Sequence, residues 1–223
     1  MGLWYTPTPV PYRPHRATWR QPLHLHLAPL WDALVPRLGA LRGRVLDVGC
    51  GQRPYRALLG EAVESYVGLD REGTLPAPDV VGDAEGLPFP DGAFDAAVSF
   101  QVLEHVPSPW RAVEELSRVV KPCGTVLFTV PGVWPAHELP HDYWRFTEEG
   151  LRALGLRAGL GSLEVVPLGG LWATLGQMAN LELDRRRPTR CLVPLVNLAA
   201  RALEPTASHT LVLNWLVTGE RRA

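Results

Sequence analysis

Side chains able to do chemistry are concentrated in a few short segments of this 223-residue chain. Asp47-Val-Gly49-Cys50-Gly51 follows an apolar run, and its glycines allow a backbone to approach a ligand closely, because no Cβ intervenes. Asp70 and then Asp83-Ala84 close two further short runs. A carboxylate at Asp70 is placed to accept hydrogen bonds from both hydroxyls of a ribose, and it disfavours a 2′-phosphate there. Asp83 could accept from an adenine amino group. Glu104-His105 lies just beyond Phe100-Gln101-Val102, and PGVWPAHELPHDYWRF (131–146) gathers His137, Glu138, His141, Asp142, Tyr143, Trp144 and Arg145. Imidazole suits proton transfer at neutral pH, so His105 and His141 are the candidate bases.

One pattern points elsewhere. His137-Glu-Leu-Pro-His141 matches the HExxH signature of zinc proteases, which works because a helix puts both histidines on one face. Pro140 lies inside the motif and Pro135 just before it. A proline in a helix interior costs about 3 kcal/mol, so no metal is expected.

The elements that must position these residues follow from the periodicity. Short apolar runs at 44–48, 65–69, 79–81, 94–99, 124–130 and 163–168 read as strands. Helical patterns fall at 29–38, 54–59, 109–120 and 147–158, with Pro29 suited to a first turn. Ser108 and Thr147 are candidate N-caps. Strands alternating with helices predict a parallel sheet covered on both faces, with ligands beyond the carboxyl ends of its strands. Residues 171–183 and 192–203 are apolar helical segments, and 210–217 reads as a last, antiparallel strand. Residues 1–22 hold five prolines and form an extended arm, whose Trp4, Tyr5, Tyr12 and Trp19 suggest that it lies against the domain.

Composition narrows the partners. The chain is 46% hydrophobic with a net charge of -1, so it has material for a core and no global attraction to nucleic acid. The run Arg185 to Arg187, with Arg190, reads as a solvated face. Three widely spaced cysteines fit a reducing cytoplasm, and neither a signal peptide nor a membrane-spanning run is visible. A dinucleotide fingerprint would need a third glycine where Pro54 stands, which weakens nicotinamide binding.

VLDVGCG (45–51), YVGLD (66–70), GDAEGLPFPDGAFDAAVSFQVLEHV (82–106) and RVVKPCGTVLFTVP (118–131), in this order, resemble class I S-adenosylmethionine-dependent methyltransferases of the type 11 group. The resemblance covers about residues 40–168. It implies a Rossmann-like α/β fold with a seven-stranded, mostly parallel sheet in the order 3-2-1-4-5-7-6, and S-adenosylmethionine as cofactor. Residues 23–223 then form the domain, with a helical insertion at about 169–209. Gly49, Cys50 and Gly51 would meet the methionine part, with Asp47 supporting their loop. Asp70 would take the ribose diol and Arg71 cover the adenine. Asp83 and Ala84 would read the adenine edge, and Phe100, Gln101 and Val102 border the sulfonium. Arg53 stands where many relatives have glycine, placed to meet the cofactor carboxylate or to point into solvent. LEH recurs in the family across unlike acceptors, so a structural role competes with catalysis at His105. The catalytic candidates are His141, His105, Asp142 and Arg145; a packed loop with an Asp142–Arg145 pair is the other reading. HDYWRFT resembles a subgroup associated with cell-surface polysaccharides, which makes a glycan precursor the expected small-molecule acceptor. A quinone or lipid-like acceptor is the second choice, and a non-catalytic nucleoside-binding scaffold the alternative from another class. The apolar insertion would be added core, a homodimer surface or a pocket for such a lipid-like group.

Overall fold

The computed structural model describes residues 16–208 and 210–223. Seven strands form one sheet: β1 (Gly43–Val48), β2 (Val63–Asp70), β3 (Val80–Val81), β4 (Phe94–Phe100), β5 (Val120–Pro131), β6 (Leu160–Leu168) and β7 (Asn214–Arg221). Their order is β3-β2-β1-β4-β5-β7-β6, and β7 runs antiparallel to both neighbours. This is the Rossmann-like order expected from the sequence.

Side-chain alternation divides the core. Leu46, Val48, Ala97, Val126, Phe128 and Val130 face one side, where they pack with Ala112, Val113 and Leu116 of α2 (Pro109–Val119) and Leu151 of α3 (Glu148–Arg157). Val45, Ala96, Val98 and Leu127 face the other, beneath Leu30, Leu34 and Leu38 of α1 (His24–Gly39). The spacing of four puts these leucines on one stripe of α1. Thr147 caps α3 by accepting from the Gly150 amide at 3.2 Å. Ser108 precedes α2, but its side chain makes no cap bond.

Several expected boundaries move. Helix α1 begins at His24, so Pro29 and Pro36 both lie inside it and not at its start. Residues 54–59 give only a 3-10 turn, Arg56–Leu58, too short to be an α-helix. The last strand starts at Asn214, four residues later than expected, and continues through Glu220 and Arg221. Arg221 is held there because its Nη1 donates to the carbonyls of Arg118 and Val120 at 2.7 and 2.6 Å.

Between β6 and β7 lie α4 (Leu171–Arg185) and α5 (Val193–Leu203). Gly176 allows close packing, since a Cβ there would come within 2.8 Å of Leu25 and 2.9 Å of Ala200. The insertion also buries amides. Asn197 Nδ2 donates to the carbonyls of Trp19 and Gln21, and Gln177 Nε2 to that of Pro22. Residues 19–22 are thereby tied to the insertion. Trp4, Tyr5 and Tyr12 lie outside the described residues. Arg185 and Arg190 are exposed and pair with Glu182 and Asp184. Among the described residues, no helix is long and apolar enough to cross a membrane.

Candidate active site

The carboxyl ends of β1, β2 and β4 open into a cavity of about 450 Å³. Gly49, Gly51, Asp70, Arg71, Asp83, Ala84, Gln101, Val102, His105 and His141 all line it. These residues span more than ninety positions of sequence, and the parallel topology brings them to one edge. A second cavity of about 480 Å³ lies between α1 and the insertion, walled by Leu25, Ala28, Ala173 and Ala200, and contains none of the strand-end residues.

The glycine turn is built from both of its neighbours. Gly49 and Cys50 donate their amides to the Leu69 carbonyl at 2.8 and 3.1 Å. Gly49 has φ +74°, and a Cβ on it would approach Val102 Cγ2 to 2.3 Å. Gly51 has φ +49°, and a Cβ there would meet nothing among the described residues within 4 Å. The Gly51 amide donates to Asp70 Oδ2 at 2.8 Å, and the Arg71 amide to Asp70 Oδ1 at 2.7 Å. A carboxylate oxygen offers about two acceptor sites, so each oxygen retains capacity for a ligand donor. Asp83 Oδ1 is held by the Glu85 amide at 2.9 Å.

Two expected ligand contacts, Phe100 and Cys50, do not line the cavity, and neither does Asp47, which was expected to support the loop. Phe100 turns to the α1 side, edge-on to Tyr55 with ring centroids 4.9 Å apart. Cys50 is buried beneath the turn, its Sγ 2.8 Å from where a Gly68 Cβ would stand, and burial pushes its thiol up to about 11. Asp47 is buried under the loop and accepts from the Tyr66 hydroxyl at 2.6 Å. Burial raises its carboxyl to about 6, although the Tyr66 bond acts in the opposite direction. Arg53 takes neither expected course: its Nη2 donates to Asp79 Oδ1 at 2.9 Å and to the Ala77 carbonyl at 3.2 Å. Its φ of +58° accounts for a glycine-compatible position.

The loop after β5 forms the opposite wall. Arg145 staples it. Its guanidinium meets both Asp142 oxygens, at 2.7 and 2.9 Å, and donates to the carbonyls of Trp134, Pro135 and Trp144. Burial opposes the Asp142 charge, yet Arg145 and the His137 amide hold its carboxyl down to about 2. Asp142 and Arg145 are therefore engaged with one another and do not line the cavity. Trp144 is 37% exposed, with its indole N–H on the Val106 carbonyl.

His141 is exposed at the cavity wall, its Nδ1 3.1 Å from the Tyr143 hydroxyl. His105 donates Nδ1–H to the His141 carbonyl at 2.7 Å, so the two candidate bases are joined through the backbone. Residues 137–141 are not helical, and the His137 ring meets that of His105 edge-on, ring centroids 4.6 Å apart. Glu138 and Tyr143 also line the cavity, and Gln101 is braced by the Thr129 hydroxyl at 3.2 Å. Tyr66 and Thr129 escaped the sequence reading, since each supports the site from inside a strand.

Residues 46–128 match the family model described as a methyltransferase domain. An uncharacterised methyltransferase of Mycobacterium leprae is 36% identical over 112 residues, 44% of this chain and 42% of that protein. The chain spans about half the length of the curated relatives it matches. The crystal structure of the [4+2]-cyclase SpnF superimposes with a TM-score of 0.60 at 24% identity, covering 95% of this chain and 86% of that one. Phosphoethanolamine N-methyltransferase 2 of Haemonchus contortus, in complex with S-adenosyl-L-methionine, gives 0.57 at 17% identity over 86% of this chain and 52% of that one. With these strand-end motifs and this sheet order, residues 46–128 are a methyltransferase domain of the class I, S-adenosylmethionine-dependent type.

Proposed function

We propose that the chain transfers a methyl group from S-adenosylmethionine to a small, polar acceptor. The observation that carries this reading is the Gly51–Asp70 corner: an open glycine surface beside a carboxylate with spare acceptor capacity at the β2 end. Gly49 and Gly51 would receive the methionine part, Asp70 the ribose hydroxyls, Arg71 the adenine face, and Asp83 with Ala84 the adenine edge. Gln101 and Val102 would border the reactive centre. Asp47, Cys50 and Phe100 act from behind the wall, by holding the turn and the β4 end. When bound, S-adenosylmethionine supplies an electrophilic methyl group and its own leaving group, so the protein's work is alignment and proton removal.

The acceptor enters from the other wall. His141 is the proposed base: it lines the cavity beside the Tyr143 hydroxyl, whereas the free Nε2 of His105, which also lines the cavity, is 3.8 Å from both the Glu104 and the Glu138 carboxylates. Asp142 and Arg145 are positioning residues that fix the His141 backbone. Glu138, His141 and Tyr143 offer a carboxylate, an imidazole and an aromatic ring, a set that suits a hydroxyl-bearing acceptor such as a saccharide. A lipid-like acceptor draws on a different observation: Leu195, Leu198 and Leu203 of α5 are exposed, and Leu181 of α4 lines a small cavity together with Trp134 and His137 of the acceptor loop.

Titration calorimetry with S-adenosylhomocysteine and with NAD tests the cofactor assignment, and tight binding of NAD alone would overturn it. Because SpnF, named as a cyclase, shares the fold, a nucleoside-binding protein that moves no methyl group is the second reading. Release of S-adenosylhomocysteine during turnover with hydroxylated acceptors separates the two.

A further inference from the structure

Glu104 has no place in the scheme above. It sits in the 3-10 turn Leu103–His105 after β4 and is wholly buried. Its own backbone N–H is near, yet among the described residues neither carboxylate oxygen accepts a hydrogen bond of good geometry. An unpartnered buried carboxylate is costly, because desolvation is not offset by any donor.

Two imidazoles face this carboxylate. His105 Nε2 lies 3.8 Å from Glu104 Oε1 and 3.8 Å from Glu138 Oε2. Its Nδ1 bonds a carbonyl, which accepts only, so the hydrogen is on Nδ1 and the neutral ring keeps a lone pair on Nε2. His137 is similarly oriented, with Nδ1 3.4 Å from Asp142 Oδ2. Arg145 Nη2 lies 3.5 Å from that nitrogen but is already engaged by Pro135 and Asp142. A carboxylate that stays ionised holds the hydrogen on His137 Nδ1 and leaves its Nε2 free. Each ring is thus backed by a carbonyl or carboxylate, the outer-shell arrangement that orients metal-binding histidines.

We propose that Glu104, His105 and His137 bind one divalent transition-metal ion of the zinc type. One donor atom from each lies within 4.8 Å of the others. Ligands about 2.1 Å from a tetrahedral ion stand roughly 3.4 Å apart, so side-chain shifts of about 1 Å complete the site. Two imidazoles and a carboxylate select a borderline ion such as Zn²⁺ over Mg²⁺. His105 and Glu138 line the main cavity, so the ion would sit at its wall with room for an oxygen ligand. This set differs from the helical HExxH pair that the prolines argue against: it joins the β4 turn to the acceptor loop and leaves His141 out. The inference does not depend on methyl transfer.

The test uses tag-free full-length protein stripped with a chelator, then titrated with Zn²⁺ and with Co²⁺. One equivalent of Zn²⁺ should bind, and Co²⁺ should develop the visible absorption of a four- or five-coordinate site. Glu104→Gln and His137→Ala should each weaken Zn²⁺ binding by at least about 100-fold, and His141→Ala by less than threefold. Should Glu104→Gln fail to fold, His137→Ala and His105→Ala carry the comparison. Substoichiometric Zn²⁺ at tens of micromolar, or binding lost in His141→Ala and kept in His137→Ala, would overturn the assignment.

Discussion

Replacing Asp70 by alanine isolates the cofactor assignment from the fold. In the wild type each Asp70 oxygen accepts one backbone amide, from Gly51 at 2.8 Å and Arg71 at 2.7 Å, and each retains one acceptor position toward the cavity. A ribose diol would fill both. Hydrogen bonds to a charged group contribute about 1.5–3 kcal/mol each. Water solvates the hydroxyls in the variant and the two bonds are not independent, so about 1.5–3 kcal/mol in total is predicted. That is roughly 10- to 150-fold in Kd. The loop amides lose their acceptor, but they border an open cavity where water can replace it, so the fold should survive. Asp70→Asn refines the test: one half of its amide is a donor facing a backbone donor, so its affinity should fall between wild type and Asp70→Ala. Calorimetry with S-adenosylhomocysteine measures the affinities, and circular dichroism verifies folding. Folded variants that bind within twofold of wild type would refute the ribose role.

Three further outcomes follow from the same geometry. Gly49→Ala should cost roughly 2–4 kcal/mol of stability from left-handed strain and overpacking against Val102; Gly51→Ala should cost about 1 kcal/mol but block the ligand, and thermal melts paired with calorimetry distinguish them. The Asp47 carboxyl is raised by burial to about 6, above the unfolded value. The native state therefore holds the extra proton, and stability present at low pH is lost as pH rises from about 4 through about 6, by roughly 3 kcal/mol. Asp47→Asn should flatten that dependence in urea melts at pH 4.5 and 7.5. Arg145→Lys keeps charge but not the planar fork, and should destabilise the acceptor loop by about 3 kcal/mol. It should lower kcat/KM while S-adenosylhomocysteine affinity stays within threefold; equal losses in both would show that the loop also serves the cofactor.

The sheet was legible because its determinants are local. Val45-Leu-Asp-Val48 and Phe94-Asp-Ala-Ala-Val alternate or run apolar over a few residues, and polar strand ends follow at once. Where expectation failed, a tertiary contact outweighed a local preference. Helix α1 accommodates Pro29 and Pro36 because its leucine stripe is buried on β1, β4 and β5. Residues 54–59 have helical spacing but too few turns, and Arg53 is drawn to Asp79 on the β2–β3 connection. The amides inside the insertion looked like interruptions of apolar helices. Asn197 and Gln177 are wholly buried and bind backbone carbonyls about 150–180 positions earlier, a pairing that no periodicity records.

The two walls of the site differ in the same way. The wall proposed for the cofactor is made of residues at strand ends, so finding the strands located Gly49, Asp70, Asp83 and Gln101 together. Only side-chain direction was missing, and it separates Val102, which fills the space a Gly49 Cβ would take, from Phe100, which points to Tyr55. The wall proposed for the acceptor is a loop whose residues bind one another. Composition marked 131–146 as polar, but whether Arg145 meets a substrate or five groups of its own loop is a matter of backbone path, and the path turns its carbonyls inward. The same path sets His137 against His105 and near Glu104. The proline-broken HExxH thereby sets His137 against His105, beside a buried carboxylate that accepts no side-chain hydrogen bond among the described residues.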